Sequence, residues 1–283
     1  HSFPTRRSSD LVAFATVYAA YALYGFLTPP VAFVLLGAVA LGTLAAALLH
    51  GPALAGLGVV GAFVTPVLVS SDKPDYWALY IYIAIVTAAA FALARIRMWR
   101  WLAVTTIVFS AVWMAPGIDN VATFAPHAFH MIAGFALAAV MVVAGFMFGP
   151  TAEPGRIERV SSFSLDVFLA GAMVLVLTNN HADASLIVFA LLVAATFIIA
   201  WRTDSAVGAI GAAALFVFVV FAEWAVRANP DLAVVAGGPL PGIGTRADDG
   251  SISMHLIAAA GFGAAFGAAG FLAQGRSIGA IVP

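Results

Sequence analysis

The sequence predicts an all-α fold, a polytopic integral membrane bundle of about ten transmembrane helices with short loops. Three observations carry that expectation. Of the 283 residues, 63% are hydrophobic and 9% are charged, with a mean hydropathy of +1.06, whereas soluble domains carry about 25% charged residues. The apolar residues come in runs long enough to cross a bilayer, and from Val12 no Asp, Glu, Lys or Arg occurs before Asp72. All six tryptophans, Trp77, Trp99, Trp101, Trp113, Trp201 and Trp224, fall at the ends of those runs, where amphipathic rings favour the membrane interface.

A crossing needs about 20 apolar residues. In chain order the runs predict spans at 11–26, 31–49, 52–70, 77–93, 101–115, 128–148, 165–177, 184–200, 206–225 and 254–273. Their near-continuous apolarity fits helices, because a barrel strand alternates apolar and polar residues. The third run, PALAGLGVVGAFVTPVLVSS, contains Gly56, Gly58, Gly61 and Pro66. It predicts a kinked helix packed closely on its neighbours, with a broken or re-entrant segment at Gly58, Gly61 and Pro66 as the alternative. In the last run, Gly263 and Gly267 form a GxxxG pair that lets another helix approach, within the chain or from a second copy.

Arginines set the orientation. Arg95, Arg97, Arg100, Arg156, Arg159, Arg202 and Arg276 fall on one side of ten crossings, and Lys73, Arg227 and Arg246 on the other. The positive-inside rule makes the arginine-rich side cytoplasmic and puts both ends of the segment there. Two longer loops, GIDNVATFAP and the segment 227–251, then lie outside.

A net charge of -1 offers no basic face for nucleic acid, and the absence of cysteine removes disulfides, thiolate metal sites and cysteine nucleophiles. No nucleotide-binding loop, GxSxG elbow or HExxH pair occurs. The expected partner is the lipid bilayer, and no cofactor or catalytic residue is assigned.

Ionisable residues near spans need a reason to be there. Asp166, early in the seventh run, reads as a carboxylate reaching headgroups or capping the helix start. Glu223 and Arg227 read as an i,i+4 ion pair. With the topology imposed, His127, His130, His181, Asp183, Glu223, Arg227 and His255 all land at the outer face. His127 and His130, three apart on one helical face, would need a third imidazole or carboxylate to make a zinc-like shell. The plainer readings are a polar substrate-facing pocket and the ordinary concentration of polar residues at an interface.

The segment LYGFLTPPVAFVLLGAVALGTLAAALLHGPALAGLGVVGAFVTPVLVSS, with its Pro-Pro pair and LGVVGAFVTP, followed by RIRMWRWLAV, resembles the prokaryotic family of predicted membrane proteins called domain of unknown function 2339. The resemblance implies a longer parent protein with more spans in a prokaryotic cytoplasmic membrane, and brings no activity or catalytic residues. The first eleven residues, HSFPTRRSSDL, differ abruptly in composition from the apolar run that begins at Val12, and they back-translate to a common sequencing-library adapter. They are expected to be non-native, with 12–283 forming the multi-pass domain. On function, the sequence favours a transporter or channel-like bundle for a small or amphipathic molecule. The alternatives are a membrane-embedded enzyme acting on an envelope or lipid-linked substrate at the outer face, and a non-catalytic scaffold.

Overall fold

The computed structural model describes residues 7–69, 74–143, 159–228, 234–235, 238–239 and 250–273. They form ten helices in two compact units, residues 1–113 and 114–283. Seven helical stretches are long and apolar enough to cross a membrane: Pro29–His50, Tyr76–Arg97, Val121–Val143, Arg159–Thr178, Asp183–Arg202, Gly208–Arg227 and Ile252–Leu272. Val12–Ala22, Pro52–Leu68 and Arg100–Val112 are apolar but shorter.

The first unit contains α1 (Arg7–Ala22), α2 (Pro29–His50), α3 (Pro52–Leu68), α4 (Tyr76–Arg97) and α5 (Arg100–Val112). Helix α1 starts inside the stretch expected to be non-native and ends four residues before the predicted limit of 26; residues 1–6 lie outside the described residues. Helix α2 packs against α1, α3 and α4. Pro29 and Pro30 open it, since a missing N–H costs nothing in a first turn. Gly51, at φ 98°, ends α2 and starts α3 in a conformation that L side chains resist. The Asp75 carboxylate caps α4 by accepting from the N–H groups of Trp77 and Ala78 at 3.0 and 3.2 Å.

Helix α3 is continuous from Pro52 to Leu68, with Pro66 inside it. Proline has no N–H for the carbonyl four residues back, which here belongs to Ala62. That carbonyl accepts instead from the Tyr82 hydroxyl of α4 at 2.8 Å, and the adjacent Phe63 carbonyl accepts from the Trp113 indole N–H at 3.0 Å. A bilayer provides no water to satisfy such groups, so the neighbouring elements do so. Two glycines permit the close approach. The Tyr82 ring lies over Gly37, where an added Cβ would sit 2.7 Å from Tyr82 Cε2, and at Gly58 an added Cβ would sit 3.1 Å from the Leu44 backbone nitrogen.

The second unit contains α6 (Phe124–Leu137), prolonged by a π turn (Ala138–Val143), then α7 (Arg159–Thr178), α8 (Asp183–Arg202), α9 (Gly208–Ala228) and α10 (Ile252–Ala273). A two-residue antiparallel pairing joins Val234–Val235 to Gly238–Pro239. Helix α7 is central, touching α6, α8 and α9. Phe168 and Leu169 on it are fully buried, and Gly171 receives the Met131 and Met114 sulfurs, which an added Cβ would meet at 2.5 and 2.7 Å. Apolar residues on α8, α9 and α10 face outward, with Leu191 60% exposed, Ile198 64% and Phe218 69%. Such faces suit lipid and would be costly in water.

The unit has two distinguishable ends. At one, the Ser162 hydroxyl at the start of α7 donates to the Ser205 carbonyl in the α8–α9 connection, near Arg159 and Arg202, which begin α7 and end α8. At the other, the Thr178 hydroxyl at the end of α7 donates to the Ile118 carbonyl ahead of α6. Residue 70, residues 144–148 of the sixth predicted span, and Arg156, Arg246 and Arg276 lie outside the described residues.

Candidate functional site

The α7–α8 turn, the last turns of α9 and the start of α10 place polar side chains at the second end of this unit. After α7, Asn180 and His181 adopt left-handed conformations, φ 50° and 56°, uncommon for residues with a Cβ. The turn is held by the His181 N–H donating to the Val176 carbonyl at 3.0 Å and the Asn179 N–H donating to that of Leu175 at 3.1 Å. It directs the His181 side chain inward, where it is fully buried.

There His181 meets α9 and α10. Its Nε2 lies 2.5 Å from Glu223 Oε2, and its Nδ1 lies 3.3 Å from His255 Nε2. The other Glu223 oxygen accepts from Arg227 Nη2 and Nε at 2.6 and 3.1 Å. The Arg227 side chain is 7% exposed, and its guanidinium also reaches Asn180 Oδ1 and the Leu177 carbonyl at 3.5 Å. The Glu223 and Arg227 ion pair expected from their spacing is therefore present, and it continues into an imidazole. Burial pushes the His181 pKa down; hydrogen bonding and charge from Glu223 oppose this, and Arg227 and His255 add to the lowering.

His255 is fixed from every side. Its Nδ1 lies 3.0 Å from the Ser251 carbonyl, the Trp224 ring stacks on its face at 4.7 Å with planes 12° apart, and the Phe221 ring meets it edge-on at 6.4 Å. Ser251 caps α10, its hydroxyl accepting from the Met254 N–H at 3.3 Å. Asp183, at the start of α8, accepts from the Ser251 N–H at 2.9 Å and from its hydroxyl at 3.0 and 3.2 Å. A carboxylate thus joins the first turns of α8 and α10. Below the cluster, Phe221 continues into an open apolar groove of about 460 Å³ between α9 and α10, lined also by Ala214, Phe218, Ala259, Phe262 and Phe266.

Comparison with known proteins identifies the family. A family model described as Predicted membrane protein (DUF2339) matches residues 9–244. The chain belongs to that family. No curated protein and no solved structure matches it. The DUF2339 match includes His127, His130, His181, Asp183, Glu223 and Arg227, while His255 and α10 lie beyond its last matched residue. It makes the chain an integral membrane protein, in keeping with the seven long apolar helices.

Five of the seven polar candidates, His181, Asp183, Glu223, Arg227 and His255, therefore meet in space, directly or through Ser251. His127 and His130 form a separate locus on α6. Both His127 nitrogens face backbone carbonyls, Thr123 at 2.8 Å and Pro116 at 3.1 Å, so its ring is committed to the segment ahead of α6. His130 meets the Phe168 ring edge-on at 6.3 Å. Among the described residues no group of three or more His, Cys, Asp or Glu side chains is arranged to hold a metal ion.

Sequence reasoning did not assign Asn180, Phe221, Trp224 or Ser251 to the site. Ser251 carried a readable signal, a serine directly before an apolar run; the stacking of Trp224 on His255 carried none, because it depends on how α9 and α10 meet. Asp166 lies seven residues inside α7 and so does not cap its start; its Oδ1 is buried without a hydrogen-bond partner among the described residues. Apart from its chain neighbours and its own helix backbone, no described atom lies within 4 Å of a Cβ added at Gly263 or Gly267.

Proposed function

We propose that this protein is a transporter or channel-like bundle that handles a single-chain amphipathic molecule, its polar head at the His181, Glu223, Arg227 and His255 cluster and its tail in the groove between α9 and α10. One observation carries the reading: Phe221 is at once a wall of the groove and an edge contact of His255, so a polar and an apolar subsite share a side chain. A groove of about 460 Å³ falls in the range of small-ligand sites, about 300–1,000 Å³. Buried ionisable groups at a membrane helix end are the type of feature that marks a substrate or ion path.

The test uses proteoliposomes carrying lysophosphatidylcholine with a dithionite-bleachable fluorophore. Vesicles with the protein should move the probe between leaflets faster than protein-free vesicles, and Ala259→Trp, which fills the groove, should slow it at least several-fold. Equal rates in protein-containing and protein-free vesicles reject the reading.

The enzyme alternative draws on the His181 and Glu223 pair, an arrangement able to move a proton at a bound lipid-linked substrate. Turnover of such a substrate in the same vesicles, lost in Glu223→Gln, would favour it.

We infer from the family resemblance that the membrane is the prokaryotic cytoplasmic one, and from the arginine distribution that Arg159 and Arg202 lie inside and the cluster outside. Because the chain has no cysteine, Glu158→Cys should resist a membrane-impermeant maleimide in intact cells and Asn120→Cys should react; the reverse pattern inverts the orientation. Pairing of two copies through Gly263 and Gly267 is a further proposal, tested by disulfide cross-linking of Gly263→Cys in membranes.

A further inference from the structure

The cluster is a line of three contacts: the Ser251 carbonyl to His255 Nδ1, His255 Nε2 to His181 Nδ1, and His181 Nε2 to Glu223 Oε2. Each contact becomes a hydrogen bond only if one proton lies in it. The Ser251 carbonyl can only accept, so His255 Nδ1 carries a proton. With His255 neutral, its Nε2 accepts and His181 Nδ1 donates. A neutral His181 then has no proton on Nε2, and it faces a carboxylate that also only accepts. Two neutral imidazoles and an ionised Glu223 supply two protons for three contacts. The opposite Glu223 oxygen accepts from two Arg227 nitrogens, so Glu223 is occupied as an acceptor on both sides and the imidazoles are the place for a third.

We propose that His255, His181 and Glu223 form a binding site for one proton, taken up by the imidazole pair as a unit. Uptake completes the line; release opens one of its contacts. The charged and titratable groups that face it among the described residues are Glu223 and Arg227 from α9, His255 from α10, and Asp183 from α8, the last occupied with Ser251. Trp224 and Phe221 close the line off on the His255 side and hold that ring in register. Burial works against the proton and Glu223 for it, with a net downward direction for His181, so uptake falls on the acid side of the ordinary histidine value. Two interacting sites of this kind titrate as a pair.

The proton site stands on the hydrogen-bond geometry; its use as a coupling ion rests on the transport reading above. The experiment is a pH titration of the full chain, labelled with nitrogen-15 at histidine and held in lipid nanodiscs, followed by magnetic resonance of the ring nitrogens. His255→Gln and Glu223→Gln serve for assignment and perturbation. In the wild type, His181 and His255 should change together through one acid-side transition, with His181 carrying protons on both nitrogens at its end. Glu223→Gln should move that transition down by about one pH unit or more, and His255→Gln should abolish the joint change. Separate transitions for the two rings, or two rings that stay neutral over the whole folded range, would overturn the proposal. The wild-type proton pattern decides the matter even if a variant fails to fold. Amphiphile flux without the joint transition defeats this inference alone, and the transition without flux defeats only the transport reading.

Discussion

At the scale of single residues, the polar groups of this chain that sit inside apolar surroundings are mostly paired, and the pairings predict what substitutions do. Tyr82→Phe removes the donor to the Ala62 carbonyl and should cost about 1 kcal/mol in denaturant-induced unfolding in mixed micelles. In a Pro66→Ala background the cost should shrink toward zero, because an alanine N–H can then serve that carbonyl; equal costs in the two backgrounds would disprove the link. Asp166→Leu should raise the thermal midpoint, since it removes a side-chain oxygen buried without a partner among the described residues. His181 supplies a pH dependence. Its pKa is lowered in the folded chain, so on acidification the unfolded state takes up the proton first. The stability it contributes is complete above the ordinary histidine range and is lost as pH falls through the lowered value. Thermal melts between neutral and mildly acid pH should show that fall, and it should be smaller in His181→Gln.

At the scale of elements, close helix approach depends on glycines with particular neighbours. Gly58→Val would drive side-chain atoms into the Leu44 backbone on α2, which cannot yield as a flexible side chain can. Destabilisation of about 1–3 kcal/mol is expected, read in the same micelle assay. Much of this level was legible in the sequence. Apolar runs predicted the helices because length and apolarity are what a bilayer demands, and α2 and α3, from Pro29 and Pro52, begin at or near the predicted 31 and 52. Pro66 was legible as a disturbance, but its resolution was not. Tyr82 lies 20 positions from Ala62 and Trp113 lies 50 from Phe63, and no local pattern links residues so far apart. The fifth helix stopped at Val112 rather than reaching 115, ahead of Pro116, whose ring disfavours helical backbone at the residue before it.

At the scale of the whole molecule, imposing alternate crossings on the runs gathered seven polar residues on one face, and the second unit brings five of them into one connected group. Topology alone predicted a shared membrane side; it had no means of separating His127, held by the carbonyls of Thr123 and Pro116, from His255, held under Trp224. That difference depends on which helices touch. The functional account rests on the junction between the connected cluster and the groove beside it. It is tested most directly by photolabelling the full chain in nanodiscs with a single-chain amphiphile bearing a diazirine on its tail, and mapping the adducts by mass spectrometry. The account predicts adducts concentrated on Phe218, Phe221, Ala259 and Phe262 and reduced several-fold by Ala259→Trp. Adducts spread evenly over the lipid-facing helices, unchanged in that variant, would contradict it.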